Sequence, residues 1–181
     1  MKCTSCNNGQ LASAYLEGLF PCHTCSNCGG NLIILSDYLR WRDQNEDIDL
    51  SSEKPLQIEA QETSKAMLCP KTGGIMTKYK ISKDSEHRLD LSPTINAIWL
   101  DKGEWELLKE NGLASKLNNI FTSHWQHEIR SQESADIIKA LYKEKFGKNY
   151  TTLKEFRELL NSMPARSEAL AYLMADDPYE P

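Results

Sequence analysis

Residues 1–10 read MKCTSCNNGQ and residues 21–30 read PCHTCSNCGG. Five of the six cysteines in this 181-residue chain fall within these two stretches. Cys3 and Cys6 form one C-x-x-C pair, and Cys25 and Cys28 form a second after eighteen intervening residues. This is the spacing of a zinc ribbon. A two-residue gap lets both thiolates of one turn face the same ion, and two such turns complete a tetrahedron. Gly29 and Gly30 follow the second pair. Glycine there tolerates positive φ and lets backbone amides turn towards the sulfurs. Four thiolates leave no open position, so the expectation is one structural Zn2+ per chain. A segment of about forty residues hardly forms a core without such a staple.

Cys22 makes the register ambiguous, because Cys22 and Cys25 also form a C-x-x-C. His23 could in principle replace a ligand. The glycine pair after Cys28 favours Cys25/Cys28, which leaves Cys22 and His23 beside the site on the hairpin. A redox role for Cys22 and Cys25 is the alternative, but nothing nearby has the βαβ setting of such motifs.

The sixth cysteine lies in LCPKTGGIM and belongs to an apparent internal repeat. Cys69 and Thr72 stand 66 residues after Cys3 and Cys6, while Ser92 and Ile95 stand 67 after Cys25 and Cys28. The segment CGGNLIILSDYL then aligns with INAIWLDKGEWE, placing Leu32 on Trp99 and Asp37 on Glu104. One cysteine cannot hold zinc. Cys69, Thr72, Ser92 and Ile95 therefore read as former ligand positions, with Ile95 packing where a metal sat and Trp99 as the main apolar anchor. GIMTKYKIS and INAIWL are rich in β-branched and aromatic residues, and Gly73-Gly74 is a turn signal.

At these residues the chain resembles the bacterial zinc ribbons named after the transcription factor IIB zinc finger. Their pattern is roughly C-P-x-C, a hairpin, then C-x-x-C-G-G-x-W-L-D-x-G-E-L. The first copy carries the four ligands and the glycine pair but lacks W-L-D. The second carries Cys69-Pro70 and Trp99-Leu100-Asp101-Lys102-Gly103-Glu104 but three of its four ligand positions are not cysteine. The resemblance covers about residues 1–40 and 68–110. It implies a zinc-binding scaffold and does not by itself assign a role in transcription.

The expected fold is α+β: a zinc ribbon with a short helix over 1–41, an acidic linker over 42–66, a metal-free ribbon-like unit over 67–112 and a small helical bundle over 113–181. The linker has seven acids against three bases and no aromatic residue. A helical piece is expected within it around LQIEAQETSKAM. SDYLRWRDQ predicts the first short helix. Asp101 and Glu104 predict a capping box for the second, which stops at Asn111-Gly112. Trp125, Ile129, Ile137, Ile138, Leu141 and Tyr142 fit one long apolar face, with RSQES as a candidate break and FGKNY as a turn. Thr152 and Glu155 predict another capping box, with Leu153, Phe156, Leu159 and Leu160 turned inward. Pro164 is expected in the first turn of a last helix.

Net charge is −5, with 21 basic and 26 acidic residues. A free-standing nucleic-acid binder gathers a basic surface, so this balance disfavours one. No run of about eighteen apolar residues predicts a membrane span, and the N-terminus has no secretory pattern. A reducing, cytoplasmic setting is the expectation, and Met1 reads as a true start there.

The expected function is a non-catalytic adaptor that binds another macromolecule, most readily a protein. Trp41, Trp105 and Trp125 are candidate anchors. The alternative is a nucleic-acid-binding regulator using Lys78 and Lys80, which alternate on the second hairpin near Lys71, Lys83 and Arg88. A third reading is a thiol or metalloenzyme using Cys22, His23 or the His124/His127 pair. HWQHE places Glu128 after both histidines, however, so it matches no zinc-protease motif. Asp176, Asp177 and Glu180 close the chain as a solvated or docking tail.

Overall fold

The computed structural model describes residues 1–51, 60 and 65–179. Six strands form one antiparallel sheet: β1 (Leu11–Leu16), β2 (Phe20–Cys25), β3 (Asn31–Ile34), β4 (Thr77–Lys80), β5 (Arg88–Ser92) and β6 (Ala97–Leu100). Their order is β1-β2-β3-β6-β5-β4. The two segments expected as separate ribbons thus share a single sheet, joined through their third strands. The register of that joint is Asn31↔Leu100, Leu32↔Trp99, Ile33↔Ile98 and Ile34↔Ala97.

The side chains explain the joint. Successive strand residues point to opposite faces, so an edge strand that is apolar on both needs a neighbour and two covers. In β6 all four residues are buried, and in β3 Leu32 and Ile33 are. Leu32, Ala97 and Trp99 enter a cluster on one face with Cys3, Cys25, Met67, Cys69 and Met76. Ile33, Ile98 and Leu100 enter the other, with Phe20, Tyr38, Trp105, Leu108, Leu117 and Ile120. Cys3, Cys25 and Cys69 therefore lie on one side of the sheet, and the helices, with Cys22, on the other.

Helix α1 (Leu35–Gln44) follows β3 directly, and α2 (Glu104–Glu110) follows β6 after a tight turn. Phe20 meets the rings of Tyr38 and Trp105 edge-on, with centroids 5.5 and 5.6 Å away. Tyr38 donates its buried hydroxyl to the Ala114 carbonyl. The predicted stop of α2 is observed: Gly112 has φ 65°, and the Leu113 amide reaches back to the Leu108 carbonyl. The predicted cap at its start is different. The residue before the helix is Gly103, with φ 90°, and the Asp101 carboxylate is engaged elsewhere. Only the reciprocal half of the box forms, with the Asp101 amide donating to Glu104 Oε2 at 2.7 Å.

A short 3-10 turn (Ala114–Lys116), α3 (Leu117–Ile120) and the start of α4 (Ser123–Phe146) complete this unit. The compact units divide after Gln132, not at 112. Leu117, Ile120 and Ile129 are buried, and the Trp125 indole donates to the Ile81 carbonyl at 3.0 Å. Nor does a linker begin at 42. Residue 42 is still in α1, Arg42 bonds the Asn45 and Ile48 carbonyls, and Leu50 is buried in the core. The helical piece expected around LQIEAQETSKAM lies mostly outside the described residues, and 65–67 are not helical.

The second unit, residues 133–181, contains the rest of α4, a 3-10 turn (Gly147–Asn149), α5 (Tyr150–Ser162) and α6 (Arg166–Met174). α4 runs through RSQES without a break. α5 begins at Tyr150, so Thr152 lies inside it and caps nothing, and Pro164 precedes α6. The helical C-terminal part is observed, but the inward face expected for α5 is not. No described residue of 133–179 is buried, and Leu153, Phe156 and Leu159 are exposed.

Because β3 and β6 share their cover, Trp99→Ala should cost about 3–5 kcal/mol, the usual loss for a fully buried large ring. Urea denaturation of the zinc-loaded protein should show one lowered transition for the sheet. Separate transitions for residues before and after 66 would contradict the shared sheet.

Candidate metal centre

Cys3 and Cys6 sit on the loop that closes at the Lys2↔Gln10 bridge, and Cys25 and Cys28 on the turn between β2 and β3. Their four sulfurs lie within 4.8 Å of one another. Cys3 Sγ is 3.8 Å from Cys28 Sγ, and Cys6 Sγ is 3.7 Å from Cys25 Sγ. Four sulfurs at about 2.3 Å from one tetrahedral ion stand about 3.8 Å apart, so this spacing fits zinc directly. The Gly9 and Asn27 amides donate to the Cys6 and Cys25 sulfurs at 3.3 and 3.5 Å. Such donors stabilise thiolate charge. A Cβ on Gly9 would lie 2.3 Å from Cys25 Sγ, so the cradle admits no side chain there.

Without an ion the four thiols are unequal. The Asn8 backbone, followed by the Asn27 side chain, lowers Cys6 to about 6. Burial pushes the Cys28 and Cys3 thiols above their ordinary value. Zinc must displace those protons, so affinity falls as pH falls.

Cys22 is not in the cluster. It is buried in the core across the sheet, and burial pushes its thiol up. Its sulfur lies 3.5 Å from Thr24 Oγ1. His23 sits half-buried on β2, paired with Ser13. Among the described residues, Cys3, Cys6, Cys25 and Cys28 are the group able to close on an ion. His124 instead meets Glu128 at 3.4 Å on an exposed helix face.

The sheet brings Cys69 to the same side as the metal cluster. Its amide donates to the Gly74 carbonyl at 2.7 Å and its carbonyl accepts from Gly73 at 2.8 Å. Cys25 makes the same pair of bonds with Gly30 and Gly29, at 2.8 and 3.1 Å. Gly29 and Gly73 both have φ 72°. Thr72 thus holds the place in its turn that Cys28 holds in the other. Burial pushes the Cys69 thiol up, but hydrogen bonds from Ser92 and Thr72 outweigh it and leave the thiol below its ordinary value. Ile95 is half-buried and packs against the same cluster.

The W-L-D-x-G-E stretch gains a physical role. Trp99 is 1% exposed. Its ring lies where a Cβ on Gly30 would come within 2.3 Å, so glycine is required. Asp101 Oδ1 accepts from the Trp99 indole at 2.7 Å and from Ser5 Oγ at 3.3 Å. Thr4 Oγ1 donates to the Leu68 carbonyl. Both residues between Cys3 and Cys6 are therefore tied to the second half. Sequence reasoning missed these ties; the WLDKGEW motif was their signal.

The remaining candidates pack on the core or sit in ion pairs. Trp105 is buried in the core and its indole donates to Glu17 at 2.8 Å. Trp41 packs half-buried on Phe20, and Trp125 is half-buried and bonded. Lys78 pairs with Asp90 at 2.8 Å and Lys80 with Glu86 at 3.1 Å.

Residues 2–44 match the family model described as transcription factor zinc-finger. No curated protein and no solved structure matches the chain. The match ends with α1 and contains all four ligands, so family pattern and sulfur geometry identify one zinc ribbon. Among the described residues, no helix is long and apolar enough to cross a membrane.

Metal analysis with Cys28→Ser and Cys69→Ser checks the assignment. The first should lose zinc, and the second should retain one ion per chain. Zinc release from the unaltered chain should increase on acidification, because thiols reclaim protons. Equal metal loss from both variants would move Cys69 into the ligand set.

Proposed function

We propose that this chain is a zinc-stabilised, non-catalytic adaptor whose target is a protein. The observation that carries this reading is the C-terminal unit. Ile137, Ile138, Leu141, Tyr142, Leu153 and Phe156 are all at least 39% exposed. Helices normally gain stability by burying such a face, and contiguous exposed apolar surface marks an interaction site. The metal centre supports the non-catalytic part. Four thiolates fill zinc's coordination, so no position is open for water or substrate.

Residues 67–112 are, on the same proposal, an emptied copy of the ribbon. Three features support this. The Cys69 turn has the backbone hydrogen bonds of a zinc turn, those at Cys25, although the repeat offset aligns Cys69 with Cys3. The Lys2↔Gln10 bridge has its counterpart in Leu68↔Ile75, just before and after the respective loops. The strand register pairs Leu32 with Trp99, the residues that align at the repeat offset. Apolar packing by Ile95 and hydrogen bonding around Cys69 then replace the ion.

The nucleic-acid alternative loses its main support, because Lys78 and Lys80 are held by acids of their own hairpin. Titrating labelled DNA and RNA at low salt should give no salt-sensitive binding. Protein bound from native extract should be lost on Phe156→Asp with zinc content unchanged. Nucleic-acid affinity that falls steeply with salt would overturn the adaptor reading.

A further inference from the structure

The C-terminal unit contains an open groove of about 480 Å³, lined by Ile138, Tyr142, Phe146, Tyr150, Leu153, Lys154 and Arg157. Its aromatic wall is preformed. Tyr142 and Phe146 stack at 5.5 Å, and Lys143 Nζ lies 6.0 Å from the Tyr150 ring centre. The groove is thus apolar along its floor and cationic along its rim. Lys154 has a weak 3.5 Å pair with Glu158, and among the described residues Arg157 has no acidic partner. An occupant must therefore be apolar with flanking carboxylates.

The same unit carries such a segment. α6 exposes Leu170, Leu173 and Met174, and Met174 is 83% exposed. These stand at i, i+3 and i+4, the spacing by which a helix fills a groove. Asp176 and Asp177 follow within one turn's length. Two grooves laid face to face would oppose their cationic rims, which disfavours that pairing. Groove against α6 matches both the apolar and the charged parts.

We infer that the groove of one copy receives α6 and its acidic end from a second copy, and that the reciprocal contact closes a two-fold dimer. A closed two-fold arrangement uses each contact twice and leaves no unpaired end. This inference rests on the reading of the C-terminal unit as a protein-binding surface and names its partner. The dimer places Asp176 on Arg157 and Leu173 and Met174 on the Tyr142–Leu153 floor.

Sedimentation equilibrium of the zinc-loaded full chain tests it. The expected mass is twice that of the 20.6 kDa chain. Leu153→Asp should give the single-chain mass with zinc content unchanged. Arg157→Glu and Asp176→Lys should each raise the dimer dissociation constant about tenfold, and the double variant should recover most of it, as a restored ion pair requires. A single-chain mass for the unaltered protein at every concentration overturns the dimer, as does a dimer indifferent to Leu153→Asp or a double variant without recovery. A monomer that still takes up another protein through Phe156 overturns the dimer while leaving the proposed function standing. A monomer that takes up none overturns both.

Discussion

The pairing of β3 with β6 is the constraint on which the first unit depends. It joins two three-stranded halves that are each too small to cover their own inner strand. Leu32 and Trp99 meet on the cysteine side, and Ile33 and Ile98 meet on the helix side. Each half therefore supplies part of both cores. This arrangement also changes what the metal stabilises. The zinc turn is followed by Gly30, Gly30 lies against Trp99, and Trp99 is held by Asp101. The zinc turn is therefore linked to the second half by direct contact.

The two sides of the sheet use different physical means. The helix side is stabilised by apolar area, with Phe20, Tyr38, Trp105 and Leu108 at its centre. The cysteine side buries Trp99, Leu32, Met67 and Met76 and adds localised ties. In the first half these are four thiolates gathered for one ion. In the second, Thr72 and Ser92 hydrogen-bond to the Cys69 thiol and apolar side chains pack around it. On the proposed reading of residues 67–112 as an emptied ribbon, a hydroxyl in place of a thiolate ligand keeps a small polar group at the turn and removes a charge from the interior. That exchange avoids the cost of uncompensated buried thiolates.

What the sequence made legible follows from how local each signal is. Metal chemistry is local: two-residue gaps and a glycine pair identified Cys3, Cys6, Cys25 and Cys28 before any fold was known. Helix stops are local too, and Asn111-Gly112 ended α2 as expected. Strand partners are not. Nothing in RLDLS announced β5, whose Asp90 is buried against Lys78. Capping boxes at Asp101 and Thr152 failed for separate reasons. Asp101 is engaged by an indole from β6, and Thr152 lies past the true start of α5. Amphipathic spacing in α5 identified the apolar face correctly but could not say what covers it.

That last point separates the two units physically. In the first, apolar periodicity and burial agree: Leu117 and Ile120 pack in the core made by the sheet, and Ile129 is buried. In the second, the same kind of periodicity runs through Leu153, Phe156 and Leu160 without any buried residue. Conformational entropy of order 1–2 kcal/mol per residue opposes ordering such helices, and exposed side chains return little against it. The exposed apolar face across three helices is the ground for the proposed protein-binding role. Four thiolates around one ion leave the ribbon's metal site closed, while the uncovered apolar residues belong to the other unit.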